Sequence, residues 1–497
     1  MPHSPLAAPT SYTRMFPELR GERPRPVADM EFGLTKLGRE MYDDASEIGP
    51  ENEPDLPTAG YTYWGQFIDH DLTFDLTPLD NASDAVEQVR NFRTPFLDLD
   101  HLYGSGPGLS PFLYQKGFHD AERLLVGETT AGRCADLPRN REGIALVADP
   151  RQDENLIIAQ LHVAFLQLHN LVVTRPQQLA ASPYYLQQPN TFTAAQRLVK
   201  WHYQWLVRHD YLHEILDPEI FNLLGKLEAE KLALGDIEFR MPAEFTAAAF
   251  RFGHSMPRDL YSKGVNDFRK DVRLETLLSL TGPMGLTTAG EPANTRLPDE
   301  WVVSWDHFFL IPPRIAAVNR ARKIDTQIAK ALHHLDPDTV KLFNLSVGAG
   351  RHLAHPELPV RTLLRGFRMR LPSGEQVAER ISAHFTCPRT LQASEIADNS
   401  PRGEILREPA YGLEQNTPLW YYVLKEAELL QSGWCLGPVG SVVIADVIIS
   451  ALAADPDSYL HASDWHPTLT DDDGRALTSM AKVLQWVSNA STTHSST

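Results

Sequence analysis

The sequence predicts a mainly α-helical protein, built as one large helical domain with few short strands. Apolar residues recur at helical spacing in several long segments, whereas the apolar–polar alternation typical of strands is rare and short. Breaks rich in proline and glycine occur near 104–111, 282–298 and 354–359, but none has the length or composition of a domain linker. We therefore expect one domain over 56–490, preceded by an irregular N-terminal arm over 1–55.

The helical pattern also locates individual elements. Thr193 and Gln196 are spaced as a capping box, which indicates the start of one helix. Helices are expected over 154–173, 193–216, 244–254 and 419–430. The longest apolar stretch, 439–454, contains Asp446 and is too short to cross a bilayer, so it predicts a buried helix and no membrane span.

Composition limits the classes of partner. The chain has 497 residues, 42% of them hydrophobic and 22% charged, which is ordinary for a globular protein with a large core. Lys and Arg together number 46 and Asp and Glu 64, which gives a net charge of −18. This charge argues against nucleic acid or an anionic membrane surface as partner and leaves a small substrate open.

The cysteines and the N-terminus bear on the compartment. Cys134, Cys387 and Cys435 lie far apart and form no Cys-x-x-Cys pair, so we expect three buried free thiols rather than a disulfide scaffold or a cysteine zinc site. Residues 1–31 are rich in proline and arginine and lack the apolar segment of a secretory signal. We expect a cytoplasmic protein, or one exported without a signal peptide, of open oligomeric state.

The first segment that can carry chemistry is WGQFIDHD, at 64–71. On a helix, Gln66 and His70 lie four positions apart and share a face, and Asp69 reaches the edge of the same site. Asp71 points elsewhere. A histidine and an amide that project together suit a base with a water-orienting partner. Taken alone, a histidine between two aspartates also fits a surface cluster.

The second segment is RTPFLDLDHLYGS, at 93–105. Oxygen-bearing groups alternate along it at Thr94, Phe96, Asp98 and Asp100. In an extended loop these oxygens can converge on one hard cation, and calcium takes about six to eight oxygen ligands, including carboxylates and backbone carbonyls. Asp71 can complete the set. The loop is not an EF-hand, and without its context a solvated turn is the alternative.

The third segment is DPRQDEN, at 149–155, which opens the apolar helix predicted over 154–173. Arg151 and Glu154 lie three positions apart at the start of that helix. A local ion pair with a favourable helix-dipole interaction is the structural alternative to a functional pair.

The fourth segment is FRFGHSMP, at 250–257, where His254 follows a glycine on a predicted helix. A lone histidine in this setting is usually structural. It can equally be an axial ligand of haem iron.

In this order, the four segments resemble the animal-type haem peroxidases, a superfamily that includes mammalian peroxidases, peroxinectins and cyclooxygenases. Residues 64–71 resemble the family's distal helix, and residues 93–105 resemble its calcium loop. Residues 149–170 resemble its distal-arginine helix, and residues 250–257 resemble its proximal segment. Two later stretches, 361–374 and 415–427, are similar to bacterial members. The resemblance covers about 10–490 and implies a single α-helical haem peroxidase domain over 56–490.

The resemblance implies a role for each matching residue. His70 would be the distal acid–base, Arg151 its cationic partner, and Gln66 the residue that orients water or halide. His254 would be the proximal iron ligand. The other implied cofactor-binding residues are Asp69, Glu154, Thr362 and Arg365, of which the two carboxylates match those that can be esterified to haem methyl groups. The implied calcium ligands are Asp71, Thr94, Phe96 through its carbonyl, Asp98 and Asp100.

The implied cofactors are therefore haem b, attached covalently through Asp69 and Glu154, and calcium. The implied reaction uses hydrogen peroxide and a ferryl intermediate to oxidise a halide, thiocyanate, a phenol or a dedicated small molecule. His70 would transfer a proton between the peroxide oxygens, and Arg151 would stabilise the developing negative charge. Calcium would fix the helix that carries His70, because Asp71 is the next residue.

The sequence departs from the family at three points. Thr362 stands where the family has an asparagine that accepts a hydrogen bond from the proximal histidine, although Arg365 is kept. Asn155 stands where one mammalian member has a methionine in a sulfonium link to haem, so no such link is expected. The mammalian disulfides are missing.

Three alternatives stay open. A metal phosphohydrolase built on His70 and Asp71 would need two more ligands in a pattern that the sequence lacks. A fatty-acid dioxygenase or cyclooxygenase-like member would need a radical-forming tyrosine three residues before the proximal histidine, where the sequence has Arg251. A non-catalytic haem-binding or adhesive member is disfavoured by the complete set of His70, Arg151 and His254.

Overall fold

Helices dominate the part of the chain that the computed structural model describes: residues 10–43, 56–75, 77, 85–116, 123–235, 238–282, 295–335, 355–383 and 389–493. Its sheets are two short antiparallel pairs, Thr10–Ser11 with Arg90–Asn91 and Leu260–Tyr261 with Val272–Arg273. The predicted mainly α-helical class with few short strands is confirmed.

The longer α-helices are Val27–Glu40, Ala59–Leu72, Leu156–Val173, Thr191–Leu206, Pro218–Ala233, Leu274–Leu280, Leu358–Arg368, Gly374–Ser382, Pro401–Arg407, Leu419–Leu430, Pro438–Ala454 and Met480–Thr493. One-turn α-helices are Asp100–Tyr103, Gly106–Leu109, Pro176–Leu179, Pro183–Leu186, Leu212–Ile215, Ala243–Thr246 and Ala393–Ile396. The 3₁₀ helices are Val86–Gln88, Pro111–Leu113, Pro150–Asp153, Ala249–Ser255, Asp299–Trp301, Trp305–His307, Ile315–Ala317, Lys330–His333 and Tyr459–His461.

The centre of the core is the helix Leu156–Val173, hereafter the central helix. It is apolar around most of its circumference and packs against Ala59–Leu72 and Thr191–Leu206. Its length and composition would also let it cross a membrane, and it is the one such helix in the described ranges. Because 83% of it is buried inside the protein, packing in the core accounts for its apolar sequence.

Two predicted helices, Leu419–Leu430 and the buried Pro438–Ala454, lie where the pattern placed them. The helix expected from a capping box at Thr193 instead starts at Thr191, because Asn190 accepts the Thr193 amide at 2.9 Å. That helix continues through a π-helical turn, Val207–Tyr211. The helix expected over 244–254 is divided into a one-turn α-helix and a 3₁₀ helix.

The N-terminal segment differs from the predicted irregular arm. Val27–Glu40 is a helix of 14 residues whose apolar face enters the core, and it packs against Leu358–Arg368. Gly38 permits this close approach, since a Cβ there would lie 2.8 Å from the Val360 backbone. Residues 44–55 lie outside the described ranges, so the predicted domain boundary stays a prediction.

The cysteine prediction is corrected at two positions. Cys134 is exposed and Cys435 is only partly buried, although both are free thiols. Cys387 lies outside the described residues.

The capping box of Gly374–Ser382 gives a test of local stability. The Ser373 hydroxyl accepts the Gln376 amide at 3.2 Å, and the Gln376 side chain accepts the Ser373 amide at 2.9 Å. Ser373→Ala should lower the free energy of unfolding by about 1 kcal/mol, because it leaves a helix N–H unsatisfied. Urea denaturation followed by circular dichroism measures the change. Ser382→Ala, at an exposed position of the same helix, is the control; equal effects of the two substitutions would contradict the prediction.

Candidate functional site

Segments that are distant in sequence meet at one cavity of about 340 Å³. They include Ala59–Leu72 (the His70 helix), Pro150–Asp153 (the Arg151 turn) and Ala249–Ser255 (the His254 turn). Several predicted site residues line this cavity together: Gln66, Asp69, His70, Arg151, Glu154, His254 and Arg365. Thr362 and the predicted calcium ligands are not among the described residues that line it.

His70 is buried and held at both ring nitrogens. Its Nε2 lies 3.4 Å from a carboxylate oxygen of Glu154, and its Nδ1 lies 3.2 Å from the side-chain amide of Gln152. Gln66 donates to the same Glu154 carboxylate and accepts from Asn155 at 3.2 Å. The imidazole therefore sits in a fixed polar setting at the cavity wall, suited to taking up and releasing a proton.

Arg151 is fixed by a buried carboxylate and by two carbonyls. Its Nη2 donates to Asp149 at 2.7 Å, to the His70 carbonyl at 3.0 Å and to the Thr73 carbonyl at 2.5 Å. The guanidinium also lies 4.6 Å from the ring centre of Phe74. Burial alone would raise the pKa of Asp149, but the neighbouring guanidiniums, Arg151 first, lower it well below its usual range. The Arg151–Asp149 pair is thus ionised.

His254 lies on a short 3₁₀ helix, and its buried Nδ1 has no hydrogen-bond partner within the described ranges. Burial, and then the charge of Arg251, lower the pKa of His254 to about 3. The Trp420 ring packs edge-on against the His254 imidazole, with 6.0 Å between the ring centroids. Nε1 of Trp420 donates to the Arg251 carbonyl at 2.9 Å. A neutral imidazole beside a cavity is the form that binds a metal ion.

Thr362 is buried in Leu358–Arg368, where its hydroxyl donates to the Leu358 carbonyl at 3.0 Å. The Thr362 hydroxyl, which stands in the family's asparagine position, therefore makes its hydrogen bond within its own helix. This placement gives no support to the predicted cofactor-binding role of Thr362.

One side of the cavity is cationic. Arg251, Arg361 and Arg365 all line it. Arg365 donates to Asp75 at 2.6 Å and to the Thr77 carbonyl at 2.7 Å. Burial, and then Arg365, lower the pKa of Arg251 to about 10, which leaves Arg251 charged at neutral pH. This side can therefore bind acid groups of a ligand.

The predicted calcium residues with described contacts lie outside the cavity lining. Asp71 is fully buried; one of its oxygens accepts from His101 at 2.9 Å, and the other has no hydrogen-bond partner among the described residues. Ligand atoms of Asp71, Asp100 and His101 lie within 4.8 Å of one another. Thr94 donates to Asp98 at 2.9 Å through its hydroxyl and to Asp100 at 3.2 Å through its amide.

Burial is the main obstacle to ionising these carboxylates, and their mutual charge adds to it for Asp98 and Asp100. Burial raises the pKa of Asp71 to about 7, and burial together with the charge of Asp71 raises that of Asp98 to about 7. Burial also raises the pKa of Asp100 well above its usual range. A divalent cation would reverse these shifts, since it favours the charged forms.

Sequence reasoning missed three residues that shape the site. Asp149 was recoverable, because an aspartate before proline at a helix start is an N-cap signal, and it does accept the Arg151 amide at 2.9 Å. His101 and Gln152 carry no such signal. Their contacts, to Asp71 and His70, join residues that are 30 and 82 positions apart.

Comparison with known proteins gives a family match over part of the chain. Residues 77–281 match the family model described as animal haem peroxidase. The match contains the predicted calcium loop, the Arg151 turn and the His254 turn, and it begins after the His70 helix.

Curated relatives match over a similar share of the chain. Thyroid peroxidase of Mus musculus is 28% identical over 206 residues, which is 38% of this chain and 22% of that protein. Thyroid peroxidase of Canis lupus familiaris is 29% identical over 227 residues, which is 41% of this chain and 22% of that protein. Peroxidase mlt-7 of Caenorhabditis elegans is 22% identical over 181 residues, which is 35% of this chain and 24% of that protein. The matched region thus spans about a fifth to a quarter of these relatives.

Solved structures match over nearly the whole chain. Peroxidase A from Dictyostelium discoideum has a TM-score of 0.57 and 15% identity, covering 97% of this chain and 91% of that one. Fatty acid alpha-dioxygenase of Oryza sativa has a TM-score of 0.59 and 13% identity, and the match covers 97% of this chain and 80% of that one. Fatty acid alpha-dioxygenase of Arabidopsis thaliana has a TM-score of 0.57 and 14% identity, and the match covers 95% of this chain and 76% of that one. At these identities the likeness shows the fold. The comparisons together confirm the predicted resemblance to animal-type haem peroxidases; the bacterial assignment stays a prediction.

Proposed function

Because residues 77–281 match the animal haem peroxidase family model, we propose that the protein is a haem peroxidase that uses hydrogen peroxide to oxidise small donors. The donor would be a halide, thiocyanate, a phenol or a dedicated small molecule. The observation that carries the proposal is one cavity onto which His70 and His254, from separate parts of the chain, both open.

The residues around the cavity fit a haem. Nδ1 of His254 has no hydrogen-bond partner among the described residues, and the imidazole is neutral, so it can bind iron. Leucines such as Leu274 and Leu278 offer apolar surface to a macrocycle, and Arg365 and its neighbours offer positive charge to the propionates. When bound, haem would supply the redox centre for peroxide cleavage.

His70 would carry the proton. Its Nε2 takes the proton from one peroxide oxygen and returns it to the other, which leaves as water. Gln66, on the same face of the helix, would orient water or a halide beside it. Both residues are held by Glu154, which accepts from Gln66 and lies 3.4 Å from Nε2.

Arg151 would stabilise the negative charge that develops on the departing oxygen. Its Nε and Nη2 are engaged by Asp149 and by backbone carbonyls, so the guanidinium does not need to reorganise during the reaction. Its Nη1 makes no hydrogen bond with the described residues and is the atom that we assign to this task.

Calcium would bind at Asp71, Thr94, the Phe96 carbonyl, Asp98 and Asp100. The unpartnered oxygen of Asp71 and the raised pKa values of its neighbours support a cation at this position. Since Asp71 adjoins His70, the ion would hold the end of the His70 helix.

A fatty-acid dioxygenase is the second candidate, favoured by the fold shared with the alpha-dioxygenases. It would have to pass an oxidising equivalent to a protein radical that abstracts hydrogen from the lipid. Arg251 occupies the position three residues before His254, and its buried guanidinium cannot form a phenoxyl radical. This residue is the reason that peroxidation of small donors is preferred.

The first prediction concerns the iron ligand. His254→Ala should lose haem or shift the ferric absorption spectrum strongly, because the axial nitrogen is removed. Absorption spectra and iron analysis of protein purified with haem measure this, with circular dichroism to confirm folding. His213→Ala, at an exposed position, is the control. An unchanged Soret band and iron content in His254→Ala would reject the assignment.

The second prediction concerns the reaction class. His70→Ala should slow the reaction with peroxide by about two to four powers of ten, the usual contribution of a positioned acid–base. Stopped-flow absorption measures the rate, and turnover is assayed with a phenol or iodide plus peroxide and, separately, with linoleate plus oxygen. Oxygen consumption matched by lipid hydroperoxide, with no donor turnover, would favour the dioxygenase instead.

The third prediction concerns calcium. Removing the metal, or Asp98→Asn, should lower the melting temperature, because an ion that binds only the folded state stabilises it. Metal analysis of protein never exposed to chelator should find calcium. Asp473→Asn, on the surface, is the matched control. If no calcium is found and Asp98→Asn melts at the wild-type temperature, the loop is a structural turn and not a calcium site.

The fourth prediction concerns covalent attachment. Asp69 and Glu154 both line the cavity and are the proposed ester partners of the haem methyl groups. After exposure to peroxide, acidic organic extraction should leave haem on the wild type and release it from the Asp69→Val, Glu154→Gln double variant. Complete release from peroxide-treated wild type would show that no ester forms.

A further inference from the structure

Gln152 contacts the nitrogen of His70 that the proposed reaction does not use. It is fully buried and lies outside the cavity lining, and its side-chain nitrogen Nε2 is placed 3.2 Å from His70 Nδ1. Its Oε1 is also buried and has no hydrogen-bond partner among the described residues, so rotation of the terminal amide would bring an unpaired acceptor to Nδ1. A buried amide with one bond to a proton-transferring histidine has a chemical consequence, because that bond determines which ring nitrogen carries the proton.

The backbone of Gln152 is fixed from both sides. Its amide donates to the Asp149 carbonyl at 3.0 Å, which closes the Arg151 turn. On the other side, Asp153 accepts two hydrogen bonds from Arg139, at 2.8 and 2.9 Å. The Gln152 side chain therefore keeps its place beside His70, and its remaining freedom is rotation of the terminal amide.

That rotation exchanges a donor for an acceptor without a change of shape. If Nε2 of Gln152 donates to Nδ1, the neutral imidazole must carry its proton on Nε2, where the Glu154 carboxylate lies 3.4 Å away. If Oε1 of Gln152 accepts from Nδ1–H, His70 Nε2 presents a lone pair to the cavity. Only the second arrangement makes Nε2 a base.

We propose that Gln152 is a positioning residue for His70, which accepts a hydrogen bond from Nδ1–H and so keeps Nε2 free to take a proton from peroxide. An O–H bond of peroxide would then break as the Nε2–H bond forms. The same proton would be returned to the departing oxygen when the O–O bond breaks, for which a bound haem would supply the two electrons, and that oxygen would leave as water. Gln152 stabilises the intervening imidazolium and receives no proton itself. The inference rests on the proposed function, since it concerns the proton that His70 would move.

Other charged groups near His70 act on the same imidazole. Glu154 faces Nε2, Arg151 donates to the His70 carbonyl at 3.0 Å, and Asp149 lies behind Arg151. His101 and His162 also approach His70, but burial lowers the pKa of each well below its usual range, so both are neutral. None of these groups makes a hydrogen bond to Nδ1 in the described part of the chain, which leaves that task to Gln152.

The test uses haem-loaded protein and two variants of opposite chemistry. Gln152→Leu removes the acceptor at similar volume, and Gln152→Glu supplies a group that, when ionised, can only accept from Nδ1–H. Gln160→Leu is the matched control, because Gln160 is a buried glutamine of the central helix that bonds the Ala135 carbonyl and the Val303 amide instead. Soret spectra and melting temperatures establish haem binding and folding for each protein.

The readout is cyanide association followed by stopped-flow absorption, alongside the peroxide reaction. Hydrogen cyanide must give up its proton as it binds, so its rate reports the distal base without turnover. Gln152→Leu should slow both reactions by about ten- to a hundredfold, the scale of losing a residue that orients a functional histidine at a metal centre. Gln152→Glu should keep both rates close to those of the wild type, because its carboxylate restores the acceptor, a rescue that a packing role would not give.

The possible results distinguish a failure of this inference from a failure of the proposed function. Wild-type rates in Gln152→Leu, with a normal Soret band, would overturn this inference and leave the proposed peroxidase intact. Equal losses in the Leu and Glu variants would assign Gln152 to packing and also overturn it. A wild-type protein that binds no haem would overturn the proposed function and this inference with it.

Discussion

A single buried carboxylate, Asp149, connects the parts of the site. It receives Arg151 at 2.7 Å and Arg93 at 2.9 Å, and it is fully buried. Arg151 extends the connection to the His70 carbonyl, and Arg93 extends it to Asp100 in the predicted calcium loop at 3.3 Å. Removing one partner of such a buried cluster costs about 3–5 kcal/mol, because the remaining charges lose their compensation. The position of the His70 helix therefore depends on a charge that never faces the cavity.

The same cluster connects the predicted calcium loop with the cavity. Arg93 lies between Asp149 and Asp100 and supplies positive charge to both. Asp98 and Asp71 add two further buried carboxylates, and burial is the main reason that their pKa values are raised. A cation bound there would strengthen the loop and, through Arg93 and Asp149, would hold Arg151 against the end of the His70 helix. The proposed calcium would thereby affect the geometry of the cavity.

Much of the fold followed from local pattern. Leu419–Leu430 matches the predicted bounds because its apolar spacing and its preceding proline both act within a few residues. The errors lie where tertiary contacts override local signals. Asn190 replaces the expected cap at Thr193, and Val27–Glu40 is a core helix although its sequence is rich in charge. Its burial comes from packing on a helix more than 300 residues away, which no local pattern can contain.

The site shows the same division. Motif spacing sufficed to group Gln66 and His70, because both lie on one helix face. It could not identify Gln152 as the residue at Nδ1, since that contact joins two segments across the fold. Nor could it anticipate that the Thr362 hydroxyl bonds the Leu358 carbonyl. It also could not show that Nδ1 of His254 has no hydrogen-bond partner in the described part of the chain. Residues chosen by resemblance give the positions, whereas the hydrogen bonds that tune them depend on the chain's own substitutions.

The fold by itself does not choose between the two reaction classes, because peroxidase A and the alpha-dioxygenases both share it. The choice depends on what stands beside the proximal histidine. Arg251 is buried, donates to the Thr246 carbonyl at 2.8 Å and is charged at neutral pH. Besides burial, this positive charge lowers the pKa of His254. In the proposed peroxidase it would also oppose oxidation of neighbouring groups, so that oxidising equivalents would stay at the cavity, where a small donor can reach them.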